Sequence, residues 1–529
     1  MVNPTKKAPG KPTEADGASP PSFDADVWTS LEAKMTKELD AYVTKSFNQL
    51  NNKSINNKAE RAIHIASKEG HLLLLDSLLR HGVKTDVTNV DNQTPLHLAI
   101  ENGQEKVAIK LIEKRQISLS ITDKKGRSPL HVAVQKGQEN VAIKLVKASP
   151  SLLPLADMEN SLPLHYATLK YLPNAVKEIL NQSGDKNVDH RDKSGETPLT
   201  LALKSLAKDS ETEEKTKMMI IKLLVGHGAD LTQRLYWSKQ DSLPVLHHLV
   251  RQGRRDVLRE VKTPWEVIIN MRYEPQAGTL GSRSSTQQIP FGATPLYVAA
   301  TAGSLKSVKF LLEKGADPNI GLSTGSSNEP PTPLWVALNK SHTDVAKALL
   351  KHDAKIDVEW QGSHMLHFAI EKTSAQCRTE VVKLLLSHNA NLHQKDSSKR
   401  IPLIFAAEKG CISSLNALWD AHAKLELPET HAMDALKAIC REGHHCCVAL
   451  LYAKGADINT QDEHGYTPLH YAASYNRTDV INVLLSMGAD RTVKAQTRQE
   501  PFEVAGTAEA VARASGHVDT AGLIKNWGQ

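Results

Sequence analysis

The densest group of metal-ligating or nucleophilic side chains in this chain is Cys440, His444, His445, Cys446 and Cys447. Zinc sites need converging ligands, usually four, often in Cys-x-x-Cys pairs. Cys440 and His444 lie four apart, but Gly443 interrupts the helix between them, and Cys447 falls on the buried face of the next helix. The group therefore reads as packed cysteine beside a capping histidine, and no metal is expected. His64, His97, His131, His165, His367 and His470 form a second, dispersed set. They recur once per long interval, so they are strung along the chain rather than gathered. Their reading is structural: hydrogen bonds that tie one hairpin to the next. The sequence contains no phosphate-binding GxxxxGK loop, no GxGxxG, no HExxH and no GxSxG. No catalytic residue and no cofactor is expected, and the chain reads as non-enzymatic.

Composition narrows the classes further. The chain has 529 residues, 40% hydrophobic and 23% charged, which fits neither a disordered tail nor a membrane protein. No run approaches the roughly 18 apolar residues of a membrane span, and the start Met1–Lys7 lacks the apolar core of a secretory signal. The 65 Lys and Arg against 59 Asp and Glu leave +6, too little and too dispersed for a dedicated nucleic-acid binder. Five cysteines do not make a disulfide scaffold. They fit a reducing interior, so an intracellular, most simply cytoplasmic, location is expected. Aromatics are only 5%, so the core must be built from Leu, Val, Ile and Ala, which suits thin stacked layers.

What positions these residues is a repeat. Thr94-Pro95-Leu96-His97, Ser128-Pro129-Leu130-His131 and Thr467-Pro468-Leu469-His470 are its clearest copies. Taking the His position as marker gives 64, 97, 131, 165, 200, 247, 297, 335, 367, 404, 437, 470 and 510. Two residues on, 11 of these 13 units carry Ala; six residues on, eight carry Gly; fourteen on lies a Leu or Ile in most. Each column has a cause. Thr caps the free amides of a helix whose first residue is Pro. Ala lets that short helix lie close to its neighbour. Gly ends it in the left-handed conformation. Leu faces inward on a second helix, which Gly-Ala-Asp closes at Gly228, Gly315, Gly455 and Gly488.

This pattern resembles the ankyrin repeat family over about residues 58–527, in roughly thirteen units. The resemblance implies an all-α solenoid of helix-turn-helix units with β-hairpin loops, capped at both ends, whose hairpin fingers and concave first helices bind protein partners. The expected organisation is a disordered tail (1–25), a capping helix region (26–57), one repeat block (58–260), an insertion (261–290), a second block (291–505) and a polar capping repeat (506–529). The charged insert around 208–215 is expected to lengthen a link between helices. The degenerate unit at Leu246-His247-His248-Leu249 is expected to bend the stack. Matching to the family pattern places Asp91, Asn92, Lys124, Lys125, Arg127, Asp192, Lys193, Glu196, Asp462, Glu463, His464 and Tyr466 on fingertips. Glu101, Gln135, Arg251 and Tyr475 fall on the concave helices. The implied partner is a protein, with no nucleic acid, membrane span or metal; a secreted bacterial effector delivered into a cell and a fungal cluster-associated or regulatory ankyrin protein are the alternatives, followed by an enzyme whose activity lies in the insertions.

Overall fold

The structure, a computed structural model, describes residues 40–41, 43–45, 51, 60–114, 117–205, 211–236, 242–274, 289–322, 330–372, 375–423, 429–496 and 505–528. The expectations for the 1–25 tail, most of the 26–57 region, the start of the 208–215 insert and the 275–288 part of the insertion lie outside these residues.

Every one of the thirteen markers falls in the first helix of a two-helix pair. The chain divides into two compact units, Met1–Asp230 with Glu260–Lys262, and Leu231–Arg259 with Thr263–Gln529. The first holds five pairs, from Ala62–Glu69 with Leu72–Arg80 to Pro198–Lys204 with Glu211–Gly226. The second holds eight, from Val245–Arg251 with Arg255–Leu258 to Ala508–Ala514 with Val518–Asn526. Within each unit, first helices pack mainly on neighbouring first helices and second on second. The alanine column is the reason: Ala66, Ala99, Ala133, Ala167, Ala299, Ala337, Ala369, Ala406, Ala472 and Ala512 are all fully buried. The described residues are otherwise almost without strands. Arg234–Tyr236 pairs antiparallel with Ser242–Pro244, Leu235 opposite Leu243.

Local chemistry sets the helix boundaries. Thr94, Ser128, Thr197, Thr294, Thr332 and Thr507 each accept the amide three residues on, with Pro following in all but the last. At the far end the backbone turns left-handed at Gly103, Gly137, Gly303 and Gly410. It does so equally at Tyr171 (φ 54°), Ser341 (60°) and Asn476 (55°), where the column lacks glycine. The conformation belongs to the repeat, and glycine is only its cheapest occupant.

Two segments differ in kind from a plain repeat. The charged insert also lengthens the second helix: Glu211–Gly226 runs 16 residues and Lys215 pairs with Glu211 at 2.9 Å. Glu211, Glu213 and Glu214 in its first turn complement the helix dipole, which favours helix over loop. In the second unit, Trp265 and Ile268 are buried, with Trp265 edge-on to Phe310 at 5.4 Å. At the N-terminal side Val43 is fully buried, and Asp40 accepts from Arg80 at 2.7 Å, against the Leu72–Arg80 helix.

Candidate partner-binding site

The recurring histidines hold the fingers in place. His97 Nδ1 accepts the Thr94 amide at 3.2 Å while Nε2 meets the Arg127 carbonyl at 3.1 Å, one finger further on. His131 reaches Ser161 O at 3.0 Å, His165 reaches His190 O at 3.0 Å, and His247 reaches Ala293 O at 3.0 Å. His367 meets Arg400 O at 2.8 Å and His470 meets Gly506 O at 3.0 Å. At two markers that are not histidine the same donation is made: Tyr297 Oη to Pro330 O and Trp335 Nε1 to Val358 O, both 2.9 Å. Burial pushes His64, His97 and His247 down to about 4, so each ring is neutral; in His64 and His97 one nitrogen accepts an amide and the other donates to a carbonyl, whereas His247 makes only the second bond.

The fingers are in turn shaped by an Asx turn. Asp123 Oδ1 accepts from Lys125 N and Arg127 N, both at 2.9 Å. Asp192 accepts from Ser194 N at 2.8 Å and Glu196 N at 2.9 Å. Asp462 accepts from His464 N at 3.0 Å and Tyr466 N at 2.9 Å. Adjacent fingertips are joined by single backbone bonds, Lys124 N to Asp91 O, Met158 N to Lys125 O and Lys193 N to Glu159 O.

This geometry sorts the residues expected to meet a partner. Asp91, Glu101, Lys124, Lys125 and Arg127 converge on one cleft of about 470 Å³, which Glu60, Lys68 and Asn102 also line. Lys124 and Asp91 are well exposed, with a loose 3.7 Å pair between them. Asn92 is exposed, its amide bonded to Thr122 O. Arg127 forms the cleft floor, bonded to Asp123 and to Gln135 Oε1 at 2.8 Å. Lys193 and Glu196 sit on a later finger of the same unit, Glu196 paired with Lys204. Arg251, Glu463, His464 and Tyr475 belong to the second unit.

Three of the expected contact residues have structural engagements of their own. Asp192 gives one carboxylate oxygen to its own turn. Asp462 does the same and also accepts Tyr471 Oη at 2.7 Å; burial raises it, but the bonds from Tyr471 and the turn amides outweigh that and hold it below the usual carboxylate range. Tyr466 is 1% exposed and packs with Ala495 and Val511, so its ring is core rather than anchor.

The cysteine-rich group is likewise engaged. Burial pushes the Cys440 thiol well above its ordinary value and Cys447 up to about 11, which keeps both protonated. His444 Nε2 meets Glu408 O at 2.8 Å, capping the first helix of the preceding repeat. His517 does the same on Ser474 O at 3.0 Å, Gln138 on Ile100 O at 2.7 Å and Arg477 on Arg441 O at 2.8 Å.

Sequence reasoning does not group His393, His422 and His431, yet the structure brings them together. One ring nitrogen from each lies within 4.8 Å of the others, and His422 is fully buried. Burial first, then its two neighbours, pushes His422 down to about 4; burial also lowers His431. These residues come from three elements, so no short motif marks them.

The family models agree with the geometry. A model for ankyrin repeats in three copies matches residues 63–153, 321–396 and 403–495, and one for a single ankyrin repeat matches 291–321. The chain belongs to the ankyrin repeat family. Among curated proteins, the human SH3 and multiple ankyrin repeat domains protein 2 is 31% identical over 228 residues, 42% of this chain and 11% of that protein. The Legionella pneumophila phosphocholine transferase AnkX is 23% identical over 350 residues, 59% of this chain and 33% of that protein. The Caenorhabditis elegans ankyrin repeat and KH domain-containing protein mask-1 is 30% identical over 250 residues, 44% and 9% respectively. The chain thus spans a third or less of the length of these relatives. Ankyrin repeats typically mediate protein–protein interaction, and no helix among the described residues is long and apolar enough to cross a membrane.

Proposed function

We propose that this chain is a non-catalytic scaffold, working inside a cell, that binds a protein partner along its fingers and first helices. The supporting observation is the cleft at Asp91, Glu101, Lys124, Lys125 and Arg127. Its fingertip side chains are not dictated by the repeat, whereas its floor is locked by the Asp123–Arg127–Gln135 network. A rigid, polar and mixed-charge cleft suits an extended segment that carries both charges, with specificity set by charge complementarity. The second unit carries a separate candidate surface at exposed Glu463 and half-buried His464 and Tyr475.

The test is affinity capture with the full chain, followed by crosslink mapping of the captured protein. The double substitution Lys124→Glu and Lys125→Glu should abolish the mapped contact at 91–127 and leave far-UV circular dichroism unchanged. Retained capture with unchanged crosslinks would overturn the cleft assignment. A covalent mass increment on the captured protein, dependent on this chain, would overturn the non-catalytic reading. A second reading, an effector delivered into a host cell, draws on the 350-residue similarity to the Legionella transferase. A translocation reporter fused to the full chain distinguishes it.

A further inference from the structure

We propose that His393, His422 and His431 form a three-histidine zinc site that clamps neighbouring repeats of the second unit. The three come from successive parts of the stack. His393 lies in the finger after Ala375–Ser387, its amide fixed by Asn391 Oδ1 at 2.9 Å. His422 occupies the last turn of Ile412–Ala423, and His431 the first turn of Glu429–Glu442. Their ring centroids stand 5.3, 5.7 and 6.0 Å apart.

Hydrogen bonding separates His422 from the other buried histidines. His97, His131 and His470 each bond through both ring nitrogens, and His247 and His367, whose Nδ1 lacks a partner, still bond a carbonyl through Nε2. Both nitrogens of fully buried His422 lack a hydrogen-bond partner, as does Nδ1 of His431. Buried polar atoms without partners are uncommon, and an ion or water is one of the standard reasons for them. Here one nitrogen of each ring stands within 4.8 Å of a nitrogen of the other two. Three imidazoles close together cannot all be charged, and as neutral rings they offer lone pairs. Neutral nitrogen donors without carboxylates select zinc-like transition metals over magnesium or calcium. A tetrahedral zinc with Zn–N of about 2.0–2.1 Å holds its nitrogens about 3.3 Å apart. The present 4.8 Å limit therefore leaves a closure to be made, by side-chain rotation of half-buried His431 toward His422 and of exposed His393 toward both. A water or a further ligand would complete the fourth position. The sequence led to an expectation of no metal because its one dense ligand group is Cys440–Cys447, whereas the convergent group spans 393–431.

The experiment uses the full chain, stripped with a chelator and titrated with zinc alone against a chromophoric competitor. Wild type should take up one equivalent and unfold at a higher temperature when loaded. His393→Ala, whose side chain is exposed and whose fold should survive, should weaken zinc binding by at least about tenfold with unchanged circular dichroism and unchanged zinc-free melting. His431→Ala should do the same. Cobalt substitution should give visible d–d bands without a thiolate charge-transfer band. Three results would each overturn the site: no uptake against the competitor, equal uptake by both variants, or a thiolate band placing the metal on the cysteines.

Discussion

At the scale of single residues, the histidine marker explains a pH dependence. The rings of His64, His97 and His247 are neutral in the fold, with values pushed down to about 4 by burial. In the unfolded chain they titrate near the ordinary 6.5, so between these values the unfolded state binds more protons. Stability is then complete above about pH 6.5 and is lost as pH falls toward 4, by up to about 1.4 kcal/mol per pH unit for each histidine. Urea unfolding of wild type across pH 4–7.5 checks this. His97→Leu should flatten part of that slope. At pH 7.5 it should also cost about 2 kcal/mol or more, because Arg127 O and the Thr94 amide lose a buried partner worth about 1–3 kcal/mol each. The marker column was legible in the sequence because His recurs there. Its chemistry at Tyr297 and Trp335 was less so: different side chains make the same donation there, which only geometry shows, while Ile404 and Ala510 carry no donor at all.

At the scale of elements, the turn between the two helices of a repeat carries a contact that the glycine column does not announce. A Cβ on Gly410 (φ +63°) would stand 2.6 Å from the ring of His444, the side chain that caps the Pro402–Glu408 helix through Glu408 O. Gly303 faces His342 in the same way, also at 2.6 Å. So the glycine does two things: it admits the left-handed turn and leaves a seat for the next repeat's cap. Gly410→Ala should therefore destabilise by the left-handed penalty of about 1–2 kcal/mol plus a clash term. In a His444→Ala background only the first part should remain. A double-mutant cycle by urea unfolding measures the difference, and strict additivity would show that the seat is irrelevant. The sequence made the turn plain and gave His444 as a cap, but not which carbonyl it caps, because the partner lies 36 residues back. The same distance effect hid the 393–422–431 trio and made Tyr466 look like an anchor: burial by Ala495 and Val511 is set by the next finger and the next helix. The charged insert misled differently. Its acidic run reads as a loop by composition, yet an acidic first turn also starts a helix, and the long apolar second half from Met218 onward decides for helix.

At the scale of the molecule, a chain of repeats that mostly touch their neighbours has cooperativity only as far as those contacts run. The two compact units, divided at Asp230 and Leu231 with Glu260–Lys262 returned to the first, are candidates for separate unfolding. The sequence offers a built-in reporter. Of the seven tryptophans, Trp237, Trp265, Trp335, Trp360, Trp419 and Trp527 all fall in the second unit, and only Trp28 in the first. Far-UV circular dichroism reads helices of both, whereas tryptophan fluorescence reads chiefly the second. Coincident transitions by the two probes would mark a single cooperative unit. We expect them to differ, with the dichroism transition the broader. His97→Leu, in the first unit, should move part of the dichroism transition to lower urea and leave the fluorescence midpoint in place. Gly410→Ala, in the second, should move both. A fluorescence midpoint that follows His97→Leu would mean that stability passes freely from one unit to the other. A partner bound at the cleft of the first unit would then stabilise the whole array, whereas with separate transitions it stabilises only the repeats that hold it.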